Sequence, residues 1–138
     1  PALVDNTRVT IAALEPGDDR SSELRVAGPA ALLTAKAIKI SERLEQAESQ
    51  PDRLKGKDAL DAFRILQAIE TDDLVAGFTT HRADDHAGAV TVEAIEVYRA
   101  HASDPNGRIA QLAAAAALGD PTVAPAFAAL ITELLTAL

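Results

Sequence analysis

Five charged residues are spaced so that they could act together on a phosphate group. Lys36, Lys39 and Arg43 recur at offsets of three and four, which would align them as a basic stripe along a helix. Asp58 and Asp61 lie three residues apart in the next apolar-periodic segment. Lysine contacts phosphate as a point charge and arginine as a planar fork, and opposing aspartates could hold both in position. The spacing therefore indicates a candidate phosphate-binding site.

The same charges have a plainer explanation, which is ion pairing between two packed helices. Helices joined by a short connection usually pack antiparallel, and this would bring the basic and acidic stripes within reach of each other. Such pairs are commoner than catalytic sites, and no glycine-rich loop accompanies these residues to cradle a phosphate. The spacing alone leaves both interpretations open.

The helices that must carry these residues follow from apolar periodicity and from capping signals. Leu33, Ala37, Ile40 and Leu44 fall on one arc and form the core stripe of the first helix. The predicted helices span residues 29–48, 57–70, 71–78 and 88–101, and two more begin at Asp104-Pro105 and Asp120-Pro121, with a connecting loop over residues 49–55.

Two short strands are predicted before the helices. Val9 and Ile11 alternate with polar neighbours, as do Leu24 and Val26, and a Pro-Gly turn separates the two runs. A lone strand pair is marginal in water, so it must pack on helices or join a sheet supplied elsewhere. The fold expected is mainly α, with five or six helices after two strands, as in a truncated α+β protein. Residues 1–27 would form the strand pair and residues 28–138 the helical domain, together one compact unit.

Composition limits the function classes. The net charge is −8 with a pI near 4.7, which argues against general binding to nucleic acid or to anionic lipid. Cysteine is absent and no apolar run is long enough to span a membrane, so a cytoplasmic location is the simplest expectation. The segment 81–86 holds two histidines and two aspartates, but it has the pattern of a polar loop and not of a metal site.

The last thirty residues are nearly free of charge. Between Ile109 and Leu138 only Asp120 and Glu133 are charged, so this pair of helices must hide most of its surface. The segment 109–138 is therefore expected to be core, an interdomain contact or a dimer face.

Two segments resemble a known enzyme family. The run Gly-Pro-Ala-Ala-Leu-Leu-Thr-Ala-Lys over residues 28–36, continuing to Arg43, is similar to the lysine-and-arginine helix of the AbiEii-type nucleotidyltransferases, the enzyme half of one toxin–antitoxin class. Lys57, Asp58 and Asp61 match the basic residue and the two aspartates of that family's next helix. The resemblance covers roughly residues 26–66. It implies a small mixed sheet followed by helices, and transfer of a nucleoside monophosphate from a nucleotide triphosphate to an acceptor, often RNA, with magnesium.

One departure from the family bears on activity. Two-metal nucleotidyl transfer needs clustered carboxylates, which the family supplies as Gly-Ser followed by Asp-x-Asp, and this chain contains neither motif. We therefore expect the C-terminal helical module of a nucleotidyltransferase-like protein, lacking the metal-binding half and inactive alone, with no metal site or cofactor of its own.

In this interpretation Lys36, Lys39 and Arg43 are the candidate nucleotide contacts, and Lys57, Asp58 and Asp61 support them through ion pairs. The alternative is a non-catalytic interaction domain. In that case the segment 109–138 would mediate a homodimer or contact a missing N-terminal domain.

Overall fold

The computed structural model of the protein describes residues 1–47, 49 and 56–138, and within them the chain is mainly helical, as predicted. The elements are β1 (Asn6–Ala12), β2 (Ser21–Ala27), α1 (Pro29–Gln46), α2 (Lys57–Ala68), α3 (Thr71–Arg82), α4 (Gly88–His101), α5 (Arg108–Ala116) and α6 (Val123–Ala137). None of the described helices is long and apolar enough to cross a membrane.

Helix α1 lies at the centre of the bundle and packs on α2, α3 and α4. Its predicted stripe is buried, with Leu33 and Ala37 fully inaccessible to solvent. The buried Tyr98 hydroxyl of α4 donates a 2.9 Å hydrogen bond to the Leu33 carbonyl oxygen. On the other side of the core, the rings of Phe63 in α2 and Phe127 in α6 lie 5.6 Å apart. These contacts fix α1 and α2, which carry the candidate site.

Several helix boundaries differ from those predicted. The expected end of α1 at residue 48 and most of the expected loop over 49–55 lie outside the described residues. Helix α2 ends at Ala68, two residues early, because Ile69 is extended with φ −120° and ψ 132°. Helix α3 continues to Arg82 where an end at Phe78 was expected, because His81 extends the buried stripe of Leu74 and Phe78.

The two Asp-Pro pairs do not start helices directly, so that prediction was wrong. The Asp104 carboxylate accepts a 2.6 Å hydrogen bond from the Asn106 amide, and the Asp120 carboxylate accepts one of 2.9 Å from the Thr122 amide. Each aspartate thus closes a local turn around its proline. Helix α5 begins at Arg108, four residues after Asp104, and helix α6 begins at Val123, three residues after Asp120.

The segment 109–138 is partly interior: one side of α5 and of α6 is buried, whereas residues 118–122 between them are exposed. Ile109, Ala113, Phe127 and Ile131 are fully buried between α5, α6 and the rest of the bundle. Much of this apolar surface is therefore core.

The strands form a two-stranded antiparallel hairpin in which Val9 lies opposite Leu24. Nearly every residue of the two strands is exposed. The base of the hairpin is held to α1, where the Gly28 amide donates to the Asp5 carbonyl oxygen at 2.9 Å. A side chain at Gly28 would meet the Asp5 carboxylate at 1.8 Å, so this close approach requires glycine. The hairpin thus touches the helices at its base and otherwise projects into solvent.

Candidate functional site

Helices α1 and α2 bring the predicted basic and acidic stripes together. Because Leu33, Ala37 and Ile40 turn one side of α1 into the core, the neighbouring side faces the edge of α2. The ion pairs run antiparallel, since the early Lys36 reaches the late Asp61 and the late Arg43 reaches the early Asp58. The predicted docking of the two stripes is present in the structure.

Asp58 lies at the centre of this arrangement and receives three cations. Its Oδ1 lies 2.7 Å from Lys36 Nζ, and its Oδ2 lies 2.9 Å from Lys39 Nζ and 2.6 Å from Arg43 Nη1. Lys36 Nζ also contacts Asp61 Oδ2 at 3.0 Å. We call these five residues the Asp58 cluster. One carboxylate therefore orients three side chains that come from successive turns of α1.

Burial differs sharply across the Asp58 cluster. Asp58 is 5% exposed, whereas the Lys39 side chain is 49% exposed. The Lys36 and Arg43 side chains are intermediate. The carboxylate thus sits beneath a layer of cationic groups that reach towards water.

The ionisation of Asp58 and Lys36 follows from this geometry. Burial is the largest single influence, and by itself it would raise the pKa of Asp58 and lower the pKa of Lys36. Hydrogen bonds and charges together outweigh burial. Lys36 and Lys39 lower the pKa of Asp58 to about 2, and Asp58 with Asp61 raises the pKa of Lys36. Both groups are therefore charged at neutral pH.

The Asp58 cluster carries more positive than negative charge. Its three cations face two carboxylates, and Arg64 adds a fourth cation 3.7 Å from Asp61. An ammonium group has three N–H donors, and Lys36 uses two of them on Asp58 and Asp61. Within a chain of net charge −8, this surface can offer donors and positive charge to an anion.

Lys57 is not part of the Asp58 cluster, although the sequence predicted that it would support the site through an ion pair. It is the first residue of α2 and is exposed, and the structure assigns it no ion pair with any described residue. Its neighbour Asp58 points into the α1 interface while Lys57 faces solvent, because adjacent residues of a helix lie about 100° apart. Of the three residues predicted to support the site through ion pairs, Asp58 and Asp61 make such pairs.

An open pocket of about 290 Å³ lies beside Lys39 and was not found from the sequence. Its lining is mostly apolar, and Lys39 and Glu42 are its charged members. The lining residues are Pro1, Ala2, Ala31, Thr34, Ala35, Ile38, Lys39, Glu42 and Val90. The offsets of Ala31, Ala35 and Ile38 could have indicated a second apolar stripe on α1, but the packing of residues 1–2 and α4 around it could not be read from the chain.

His81 is buried, although the sequence suggested a polar loop. It is fully inaccessible in α3, and its Nε2 lies 3.3 Å from the Asp5 carboxylate. Neither ring nitrogen makes a hydrogen bond of acceptable geometry with a described residue, so the contact with Asp5 is an electrostatic approach. Burial is the main cause that lowers the pKa of His81, and the Asp5 charge only partly opposes it. The spacing of Leu74, Phe78 and His81 was the signal that could have placed it in the core.

No group of three acidic or histidine side chains in the described parts of the chain is arranged to hold a metal ion. Comparisons with protein-family models, with curated proteins and with solved structures gave no match to this chain.

Proposed function

We propose that this chain is the phosphate-binding helical module of a nucleotidyltransferase-like protein, in which Lys36, Lys39 and Arg43 contact the phosphates of a magnesium-bound nucleotide triphosphate. One observation carries the proposal, which is the convergence of these three cations on the single buried carboxylate of Asp58. The resemblance to the AbiEii-type enzymes of toxin–antitoxin systems supplies the substrate class. A cytoplasmic location, where such nucleotides are abundant, belongs to the same proposal.

A purely structural ion pair does not need this arrangement. One cation is enough to compensate a buried carboxylate, and each further long side chain loses conformational freedom for little added stability. Lys39 in particular is half exposed and adds a third cation to a carboxylate that already has two. An arrangement that keeps surplus positive charge at the surface is typical of an anion-binding site.

Each member of the Asp58 cluster has a distinct role in the proposal. Asp58 keeps Lys36 protonated and fixes its direction, and Asp61 accepts a second hydrogen bond from the same ammonium group. Lys36 and Lys39 would contact phosphate oxygens as point charges, and Arg43 would contribute its planar fork. Asp58 and Asp61 are positioning residues here, since both hold the Lys36 ammonium group by hydrogen bonds and Asp58 is itself buried beneath the cations.

The proposal does not assign turnover to this chain alone. The chain has neither Gly-Ser nor Asp-x-Asp, and the two carboxylates of the Asp58 cluster are already paired with cations. Metal-binding carboxylates would have to come from another polypeptide segment. We expect nucleotide binding by this chain without nucleotidyl transfer.

Calorimetric titration with ATP, GTP, CTP and UTP in magnesium tests the proposal. Lys39→Ala is the informative variant, because Asp58 keeps Lys36 and Arg43 and the fold should be preserved. We expect roughly tenfold weaker binding in Lys39→Ala, since one charge-assisted contact is lost. Arg99→Ala is the matched control, since Arg99 is an exposed cation whose ion pair with Glu96 lies within α4.

The proposal is contradicted if the unmodified chain binds none of the four nucleotides, or if Lys39→Ala and Arg99→Ala change the affinity equally. Inorganic triphosphate in place of the nucleotides identifies the group that is recognised. If it competes with ATP, the contact is made to the phosphates, as proposed.

A second candidate is a non-catalytic interaction domain that uses the segment 109–138. One observation favours it, an open groove of about 540 Å³ between the end of α2 and the outer side of α6. Ile69, Ala126 and Leu130 are among its apolar lining residues. A dimer that weakens on Leu130→Glu, in a chain without nucleotide affinity, would support this candidate over the first.

A further inference from the structure

The hairpin exposes an apolar face that no described part of the chain covers. Val9, Ile11, Leu24 and Val26 lie on the same side of the two strands, because the register pairs Val9 with Leu24 and places Ile11 and Val26 two residues from that pair. Each of the four is 40–50% exposed. We call this surface the apolar face. Two strands with one uncovered apolar side are below the size at which a sheet is stable by itself.

The outer edge of β2 is also free of backbone hydrogen bonds from the described residues. The Gly28 amide donates to the Asp5 carbonyl and the Ala13 amide donates to the Arg20 carbonyl, which fixes the alternation of hydrogen bonds between the strands. By that alternation the N–H and C=O groups of Leu24 point towards β1 and bond to Val9. Glu23 and Arg25 direct theirs outward, and no described residue bonds to them there. The edge thus offers unpaired donors and acceptors on both sides of Leu24.

The charged residues along this edge are complementary to those of a second, antiparallel copy of β2. If a second β2 lies antiparallel with the symmetry axis at Leu24, Glu23 of each strand faces Arg25 of the other, and both residues have outward backbone groups. An axis at Glu23 would put Glu23 opposite itself, and an axis at Arg25 would put Arg25 opposite itself. The register centred on Leu24 is therefore the one that satisfies both hydrogen bonding and charge.

Arg25 lacks an acidic partner within the hairpin. It lies directly opposite Arg8, which is a like charge, and its described polar side-chain contact is a 3.5 Å hydrogen bond to the Asn6 side chain. Glu23 pairs diagonally with Arg8 at 3.6 Å, and both side chains are well exposed. A second copy would place a carboxylate beside Arg25 that this chain does not supply.

The outer edge of β1 lacks such complementarity. Its outward residues include Arg8 and Thr10, and it carries no acid between Asn6 and Ala12. Antiparallel pairing of two β1 strands would therefore set Arg8 against itself or against an uncharged residue. Self-association is specified by β2 and not by β1.

From these observations we propose that β2 is a self-association edge, through which two copies of this chain join their hairpins into one four-stranded antiparallel sheet in the order β1, β2, β2, β1. The two apolar faces then lie on the same side of the sheet, because the symmetry axis is perpendicular to it. They meet at the two Leu24 side chains, which approach closely as a non-hydrogen-bonded pair. Four strands with a shared apolar side exceed the minimum for a stable sheet.

Analytical ultracentrifugation across a concentration series tests this edge. We expect a monomer–dimer equilibrium for the unmodified chain. Glu23→Arg and Arg25→Glu should each weaken the dimer by roughly tenfold, since two like-charge pairs replace two opposite pairs. An equal mixture of the two variants should restore association, and so should the double variant, because opposite charges face each other again.

Glu93→Arg is the control for net charge, since Glu93 is exposed on α4 and the substitution changes the charge as Glu23→Arg does. It should associate like the unmodified chain. A strictly monomeric protein, single variants that associate normally, a mixture that fails to recover, or an equal loss in Glu93→Arg would each overturn the proposal. Because the hairpin and the Asp58 cluster are separate surfaces, nucleotide binding and association can fail independently.

Discussion

Lys36 Nζ lies 2.7 Å from Asp58 Oδ1, and this contact joins the middle of α1 to the first turn of α2. Asp58 is the negative group on which two further cations of α1 converge. Removing it would leave three positive side chains close together, whereas removing one cation would leave Asp58 with two. The stability of the α1–α2 contact should therefore depend much more on Asp58 than on any one cation.

Asp58→Asn should lower the free energy of unfolding by about 2–4 kcal/mol, because it removes the buried partner of several charged groups. Asp61→Asn is the matched control, and it should cost less than about 1 kcal/mol because Asp61 is more exposed and accepts one hydrogen bond from Lys36. Urea unfolding followed by circular dichroism measures both. Equal losses in the two variants would show that Asp58 is not the centre of the cluster.

The protein should lose stability in acid through Asp58. Its pKa is about 2 in the folded chain and 3.8 when unperturbed, so its contribution is fully present above pH 3.8 and is lost as the pH falls towards 2. The shift corresponds to about 2 kcal/mol. Unfolding free energies measured from pH 5 to about pH 2 should fall less steeply in Asp58→Asn than in the unmodified chain. Parallel curves would contradict the assignment.

His81 should make stability depend on pH near neutrality. Its pKa is lowered from 6.5 in the folded state, so the unfolded chain binds more protons just below that pH. The contribution of the neutral His81 ring to the free energy of unfolding is therefore present above pH 6.5 and declines as the pH falls towards the pKa of the folded state. His81→Leu should remove this slope, whereas His86→Leu, at an exposed position, should keep it. Thermal unfolding at a series of pH values distinguishes the two.

Leu118 is a site where a substitution should stabilise the fold. It follows α5 with φ 61°, in the left-handed region, and its side chain is 99% exposed. The Gly119 amide bonds to the Ala114 carbonyl, so Leu118 occupies the position of a helix end that glycine usually fills. Leu118→Gly should raise the unfolding free energy by about 0.5–1 kcal/mol. Leu118→Ala, which retains the strained backbone, should change it little.

Much of the bundle could be predicted because its periodic residues are also its buried residues. Helix α4 spans Gly88–His101 as expected, and the buried stripe of α1 is the one that its spacing indicated. The approach of Lys36 to Asp58 followed from the offsets within each helix and from antiparallel packing. Local pattern and tertiary contact agree at these positions.

The features that were missed depend on contacts distant in the sequence. The polar residues around His81 in the sequence favour a loop, yet the apolar spacing from Leu74 carries His81 into the core beside Asp5. The Asp-Pro pairs predict helix starts that the structure does not have, because a turn and a helix cap use the same carboxylate chemistry. The sequence does not predict that the hairpin projects from the helices, because alternation identifies a strand without identifying what covers it.

Nuclear magnetic resonance of the labelled chain during titration with magnesium ATP would locate the bound phosphates on the Asp58 cluster or elsewhere. We expect saturable shifts that centre on Lys36, Lys39, Arg43 and the first turn of α2, and that are strongly reduced in Lys39→Ala but not in Arg99→Ala. An absence of saturable shifts, or shifts centred on α5 and α6, would show that the Asp58 cluster does not bind the nucleotide.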